Sequence, residues 1–408
     1  MTDLEDLLRE ELRRTAQKVQ PEVLRPLRVP APGHGWRPRL LPLAAAAAVI
    51  AIIALVALVA GLPAARQPAT SGSAPAVLPR FYVTTRYSAS HGTEAVVRET
   101  ASGKVIGTVQ VPSAANAGAA AAVTAAADDR SFIIGAYETS SPASLTTGLD
   151  LRLFRLRISA DGKLSPLVEL PVSPVPDEAT RGIALSPDGT LLAVSLVHYV
   201  GPKYGQVGTL QVINLATGKT RTWSAPAHGP TYAPGPPSWA DGNRMIAFTW
   251  QRITGEPIDT FVTEGIRLLD TTASGDNLAN AKLIVPGGAA DGSIQSALIT
   301  PDGREVIVAT LRDIGRGYTG TVVAQIVEFQ VSTGRLIRVL RTQTAPYDQS
   351  DYGALQASSA VLSLEPAGRY ALVLGIQFGS LDVAGPDPGR FTPQPALLVG
   401  QAVYWAAW

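Results

Sequence analysis

Gly315-Arg316-Gly317-Tyr318-Thr319-Gly320 has the spacing GxGxxG. A dinucleotide site needs a strand before such a loop and a helix after it, so that phosphate meets a helix N-terminus. Residues 321–331 read as a strand, and the segment is a glycine-rich loop. Gly218-Lys219-Thr220 lacks the upstream glycine of a P-loop and reads as a hairpin turn. No GxSxG, HExxH or Asp-rich calcium loop occurs. There is no cysteine, which excludes disulfides, thiolate zinc sites and a catalytic thiol. The four histidines, His34, His91, His198 and His228, lie in separate segments without a carboxylate at ligand spacing. No metal, cofactor or catalytic residue is expected.

The chemistry-bearing residues concentrate instead in segments 87–92, 171–180, 198–206, 224–235, 251–263, 312–319 and 343–358, which read as long loops. They hold Tyr87, Tyr199, Tyr204, Tyr232, Tyr318, Tyr347 and Tyr352, against eleven tyrosines in the whole chain. His91, His198 and His228 lie there too, with Arg252, Asp259, Arg312, Asp313, Asp348 and Asp351. Tyrosine offers an apolar body with a polar tip, and loops on a rigid scaffold carry function more often than strands do. The expectation is a ligand-binding face made of His198, Tyr199, Tyr204, His228, Tyr232, Arg252, Arg312, Asp313, Tyr318, Tyr347, Asp348, Asp351 and Tyr352. The alternative, that long loops simply gather Tyr, Pro and Gly, stays open.

The elements that must position these residues follow from a repeat. Ala184-Leu185-Ser186-Pro187-Asp188-Gly189 precedes an apolar run at 191–196. The unit returns as Trp239-Ala240-Asp241-Gly242, as Ile299-Thr300-Pro301-Asp302-Gly303 and as Leu364-Glu365-Pro366-Ala367-Gly368, with a weaker copy at Ala127-Asp128-Asp129. A period of about 55–65 residues marks an array or a propeller. Second turns at Ser102-Gly103, Asp161-Gly162, Thr217-Gly218, Ser274-Gly275 and Thr333-Gly334 make each unit four antiparallel strands, the blade of a propeller.

The fold expected is all-β, a six-bladed propeller over 80–408. Blades 2 to 5 fall near 121–171, 181–224, 236–286 and 293–342, and blade 6 begins near 359. Blade 1 takes three strands from 80–111, and 402–408 returns from the C-terminus to close it, which removes a free sheet edge. A seven-bladed count or an open end stays as the alternative. Trp239, Trp250, Trp405 and Trp408 read as packing between blades. The inner strands carry only Arg181, Gln295 and Thr300 as polar candidates, which argues against an active site among them.

The formal net charge of +1 gives no electrostatic case for nucleic acid. Residues 1–20 carry an amphipathic helical pattern, with Thr2 and Glu5 at capping-box spacing and Pro21 ending it. Residues 1–39 form that helix and a basic, Pro-rich segment. Residues 40–65 carry no charge, and about 20 apolar residues span a bilayer as a helix. We expect a single transmembrane helix at 40–62 and a flexible stalk at 63–79, with a cleaved export signal as the alternative. Arg25, Arg28, Arg37 and Arg39 precede the span, whereas Arg66 and Arg80 follow it. The positive-inside rule then puts the N-terminus in the cytoplasm and the propeller outside.

The Pro-Asp-Gly hairpins at 187–189 and 301–303 resemble those of TolB-type, or WD40-like, bacterial propellers. The whole arrangement resembles uncharacterised actinobacterial membrane propellers, some encoded beside extracytoplasmic-function sigma factors. That resemblance implies a fold and a topology and no catalytic residue. The function expected is a membrane-anchored binding or sensing module, not an enzyme. Its ligand would be a protein or a cell-envelope component, and residues 2–20 would contact a cytoplasmic sigma factor or lie on the lipid surface. The alternatives are a propeller enzyme with a channel active site and an envelope scaffold with no small ligand.

Overall fold

Each short glycine-bearing turn joins two runs of alternating or continuous apolar residues, and every strand pair is antiparallel. The computed structural model describes residues 79–88, 92–112, 122–139, 149–172, 175–177, 179–200, 205–254, 260–313, 319–348, 360–364, 371–374, 381–384 and 403–407.

Blade 1 comprises β1 (Phe81–Ser88), β2 (Gly92–Glu99) and β3 (Val105–Gln110), with β25 (Val403–Ala407) beside β1. Blade 2 comprises β4 (Ala122–Ala125), β5 (Ser131–Thr139), β6 (Leu149–Arg157) and β7 (Val168–Glu169), and β8 (Val175–Asp177) also pairs with β6. Blade 3 runs through β9 (Ala179–Leu185), β10 (Leu191–Val200), β11 (Gly205–Asn214) and β12 (Thr220–Ser224). In blade 4 the first strand is split into β13 (Tyr232–Pro234) and β14 (Ser238–Ala240), followed by β15 (Met245–Thr254), β16 (Thr260–Asp270) and β17 (Lys282–Pro286). Blade 5 is β18 (Ser293–Ile299), β19 (Glu305–Asp313), β20 (Thr319–Gln330) and β21 (Arg335–Asp348). A further sheet holds β22 (Ala360–Leu364), β23 (Ala371–Leu374) and β24 (Leu381–Ala384).

The molecule is therefore an all-β propeller of four-stranded blades. Six full blades were expected; five are complete, and the last sheet has three strands among the described residues. The first strands contact one another in cyclic order, β25 with β4, β4 with β9, β9 with β14, β14 with β18, β18 with β22 and β22 with β25. The expected return of the C-terminus is present: Val83 pairs with Ala407, Thr84 with Ala406 and Thr85 with Trp405.

The core lies between blades. Phe81, Val83, Phe132 and Phe154 fill the space between blades 1 and 2. Leu151, Leu153, Leu192 and Leu196 fill the next. Trp223, Trp239, Phe248 and Trp250 lie between blades 3 and 4, as expected for Trp239 and Trp250, two of the four tryptophans named from the sequence. Ile266, Ile299, Val306 and Phe329 lie between blades 4 and 5. Alternate residues of one strand thus bury against the preceding and the following blade. Trp239 adds a cross-blade hydrogen bond, its indole N–H donating to the Ala184 carbonyl at 2.9 Å.

At the hairpins, Gly189 and Gly303 have φ of 73° and 71°, the left-handed region that glycine enters without steric cost. Asp188 and Asp302 sit just before them and accept hydrogen bonds from the Ser186 and Thr300 hydroxyls and from the backbone N–H groups of Thr190 and Arg304. The expected N-terminal helix, the membrane helix at 40–62 and nearly all of the stalk lie outside the described residues. Among the described residues no helix is long and apolar enough to cross a membrane.

Candidate functional site

The hairpins at the ends away from the Pro-Asp-Gly turns are longer than their sequence indicated. Segment 198–206 was expected as a loop, yet β10 continues to Val200 and β11 starts at Gly205. Likewise β15 reaches Thr254, β19 reaches Asp313 and β21 reaches Asp348. His198, Tyr199, Tyr232, Arg252, Arg312, Asp313, Tyr347 and Asp348 accordingly lie on strands rather than in loops. The β-forming Val, Ile, Thr and Tyr in these stretches extend the strands beyond the expected loop boundaries. Tyr204, Tyr318, Asp351 and Tyr352 lie outside the described residues. His228 is exposed in the turn before β13.

Register brings three of the expected residues into equivalent places. The pairs Leu185↔Leu192, Trp239↔Ile246 and Ile299↔Val306 flank the turns of blades 3, 4 and 5. Counting along the second strand from Leu192, Ile246 and Val306, the same step reaches His198, Arg252 and Arg312. All three share the face whose inner members Leu192, Ile246 and Val306 pack toward the preceding blade. One imidazole and two guanidinium side chains thus form an arc across three consecutive blades.

Each member of the arc has a partner. His198 Nε2 lies 3.1 Å from Thr209 Oγ1. Arg252 Nε lies 2.8 Å from Glu264 Oε1, both side chains being about two-fifths exposed. Arg312 Nη1 lies 2.6 Å from Asp291 Oδ2, and that carboxylate is more than half exposed. Glu264 was not singled out from the sequence. It is the extra residue of a bulge in β16, between the pairs Trp250↔Gly265 and Gln251↔Thr263, and bulges re-aim side chains in a way that strand alternation does not reveal.

Blade 4 carries the densest part of the arc. Tyr232 pairs with Arg252 across β13 and β15 and stacks on Trp250 with ring centroids 4.9 Å apart. Burial first, then the charge of Glu264 and the hydrogen bond that Tyr232 gives it, push the Tyr232 hydroxyl above its ordinary value. It is therefore a hydrogen-bond donor and not a base. The Arg267 guanidinium lies 5.2 Å from the Trp250 centroid and donates to the carbonyls of Ala279 and Ala281. Burial lowers its value, while Tyr232 and Glu264 act against that.

A second layer comes from the first strands. Arg181 is the extra residue of a bulge in β9, between Ser195↔Gly182 and Leu196↔Thr180. Gln295 is the extra residue at the matching place in β18, between Thr310↔Ile294 and Ala309↔Ser296. These are two of the three polar residues picked out on the inner strands, and the bulges explain why they break the apolar pattern. Arg181 lies 3.9 Å over the Phe261 ring and donates to Gln251 Oε1 at 3.1 Å. Gln251, itself buried, reaches Thr263, which donates to the Ile294 carbonyl at 2.7 Å. A polar chain thereby links blades 3, 4 and 5. Among the described residues no group of three or more His, Asp or Glu is placed to hold a metal.

No protein-family profile matches the chain, and no curated protein matches its sequence. Solved structures do. The tricorn protease aligns over 80% of this chain and 30% of its own, at 9% identity and a TM-score of 0.42. An acylaminoacyl peptidase from Pyrococcus horikoshii aligns over 77% of this chain and 50% of its own, at 9% identity and 0.36. The dipeptidyl peptidase 4 of Porphyromonas gingivalis aligns over 77% and 51%, at 12% identity and 0.32. The chain thus spans about half or less of each. These structures are all peptidases, in contrast to the expectation of a binding or sensing module that is not an enzyme. TM-scores this low carry no reaction over to this chain.

Proposed function

We propose that the chain is an enzymatic propeller in which the arc from His198 to Arg312 seats the anionic part of an extended acyl substrate for hydrolysis. The observation that supports this is the pair of register-equivalent arginines, Arg252 and Arg312, each held by a partly exposed carboxylate. Glu264 and Asp291 stand where a substrate carboxylate would bind, and a half-exposed ion pair is weak enough to exchange, worth about 0–1 kcal/mol. Arginine presents a planar fork suited to a carboxylate, and the Tyr232–Trp250 stack beside Arg252 offers an apolar shelf. The reaction class comes from the similar structures' names, and it is the part that experiment decides.

The test uses the full chain, acylated peptides with a free C-terminal carboxylate, and the same peptides as C-terminal amides. Products are followed by mass spectrometry. The expected result is hydrolysis that favours the free carboxylate. Arg252→Ala should raise KM roughly tenfold with kcat within about twofold, the pattern of lost ground-state binding. Absence of turnover with both peptide sets overturns the reading, and so does turnover that Arg252→Ala leaves unchanged.

Two structural statements go with this reading. We propose that β22–β24 is the sixth blade of a closed ring, which the contacts of β22 with β18 and β25 support. A fourth strand paired with β24 in an experimental structure would bear it out. We also propose that residues 40–62 anchor the chain with the propeller outside, supported by the uncharged stretch and the arginines before it. Proteolysis of intact cells that spares the propeller would refute that topology.

A further inference from the structure

At the Pro-Asp-Gly end of blade 5, away from the arc, two carboxyl groups meet. Glu305 opens β19 and pairs with Gln330, while Ile307 pairs with Glu328 on β20. Glu305 and Glu328 are therefore diagonal neighbours on one face of the sheet. Glu328 is 4% exposed and forms an ion pair with Arg338, its register partner on β21. It also shares a hydrogen bond with Glu305. Two carboxyl groups can share a hydrogen bond only if one of them is protonated.

The equivalent places in the neighbouring blades are apolar. Leu191 and Val212 occupy them in blade 3, and Met245 and Leu268 in blade 4, where they pack into the inter-blade core. Blade 5 alone among these three carries acids there. An apolar pair serves packing without a desolvation cost, so packing does not account for Glu305 and Glu328.

We propose that Glu305 and Glu328 form a proton-sharing latch that holds β19, β20 and β21 together and loosens when its proton is lost. The hydrogen bond with Glu328 first, then burial, then the charges of Glu328 and Asp302, raise Glu305 to about 7, and Arg338 opposes them. Asp302 and Arg304, in the turn before β19, and Arg335, which pairs with the Gln330 that faces Glu305, are further charged neighbours among the described residues. The strand packed against this side of β19, β22, carries no ionisable residue. Once the proton leaves, two charges share one guanidinium, and one of them, on Glu328, is buried. The folded state keeps a proton that the unfolded chain has released between the ordinary glutamate range and about 7. The latch is therefore complete below the ordinary glutamate value, and its contribution is lost as pH rises through about 7.

The test compares the melting of the full chain and of its Glu305→Gln variant at about pH 5 and about pH 9, on either side of the window. Glutamine keeps an N–H donor toward Glu328 at both values. The wild type should lose about 3 °C relative to the variant on going to the higher pH. A difference between the two proteins that does not change with pH overturns the latch. A carbon-13 carboxyl titration of the wild type decides independently if the variant does not fold. One glutamate should titrate near 7, and titration of every glutamate in the ordinary range rejects the proposal.

Discussion

Asp188 shows how much one side chain settles at a blade turn. Burial opposes its charge, but hydrogen bonds from the Thr190 N–H, the Ser186 and Thr190 hydroxyls and Asn243 outweigh this and hold its carboxyl below the usual range. Asn243 belongs to the next blade's turn, so the same carboxylate closes its own hairpin and touches blade 4. Because the folded-state value is depressed, the stabilisation is present above the ordinary aspartate value and is lost as pH falls through the depressed one. Asp188→Ala should cost about 1 kcal/mol at neutral pH, the net worth of hydrogen bonds to an exposed charged group. The gap between variant and wild type in urea unfolding should close in acid. A gap that persists there would mean that Asp188 acts through shape and not through charge.

At the scale of elements, the approach of β11 to β13 sets where Tyr232 stands. A Cβ on Gly208 would lie 2.4 Å from the Ala233 Cα and 2.5 Å from the Tyr232 carbonyl oxygen. Both are backbone, and neither can swing aside as a side-chain tip does. Gly208→Ala should therefore push β13 from blade 3 and cost about 3 kcal/mol. It should also disturb the Tyr232–Trp250 stack, which tryptophan fluorescence reports. Gly288, with open space around a Cβ, is the control, and Gly288→Ala should change stability by less than about 0.5 kcal/mol. Equal stability of the two variants would show that the blades part without strain.

The same elements explain what was legible in the residues and what was not. The Pro-Asp-Gly turns were readable because turn chemistry is local: glycine takes positive φ and aspartate caps its neighbours. His198, Arg252 and Arg312 were readable as polar residues at the ends of apolar runs. Their equivalence across blades was not, because it depends on which residues pair, and pairing is not local. Glu264 and the projection of Arg181 depend on bulges, which alternation hides. The Glu305–Glu328 pair was missed for a similar reason, since the two acids are far apart in sequence and meet only through the β19–β20 register. The hairpin ends were read as loops because Tyr, Gly and Pro cluster there, although Val, Ile and Thr among them favour extended pairing.

The whole molecule rests on one non-local act, the return of Val403–Ala407 to β1. Strand β25 also touches β4 and β22, so it joins the first and last sheets as well as completing blade 1. Removing residues 403–408 leaves β1 as an open edge and uncovers Val83, a buried member of the core between blades 1 and 2 to which Ala407 also belongs. Each inter-blade core is filled from both sides, so the loss should spread from blade 1 into blade 2 and leave blades 3 to 5 paired. The truncated chain should then unfold in urea over a broader range and with a smaller slope than the full chain. Amide exchange should speed up most at Val83, Thr84 and Thr85, which face β25, and little at Phe248 or Val308. A truncated chain that unfolds with the slope and midpoint of the full one would mean that the blades are stable as an open stack. Closure would then be a feature of the ring's geometry and not a source of its cooperativity.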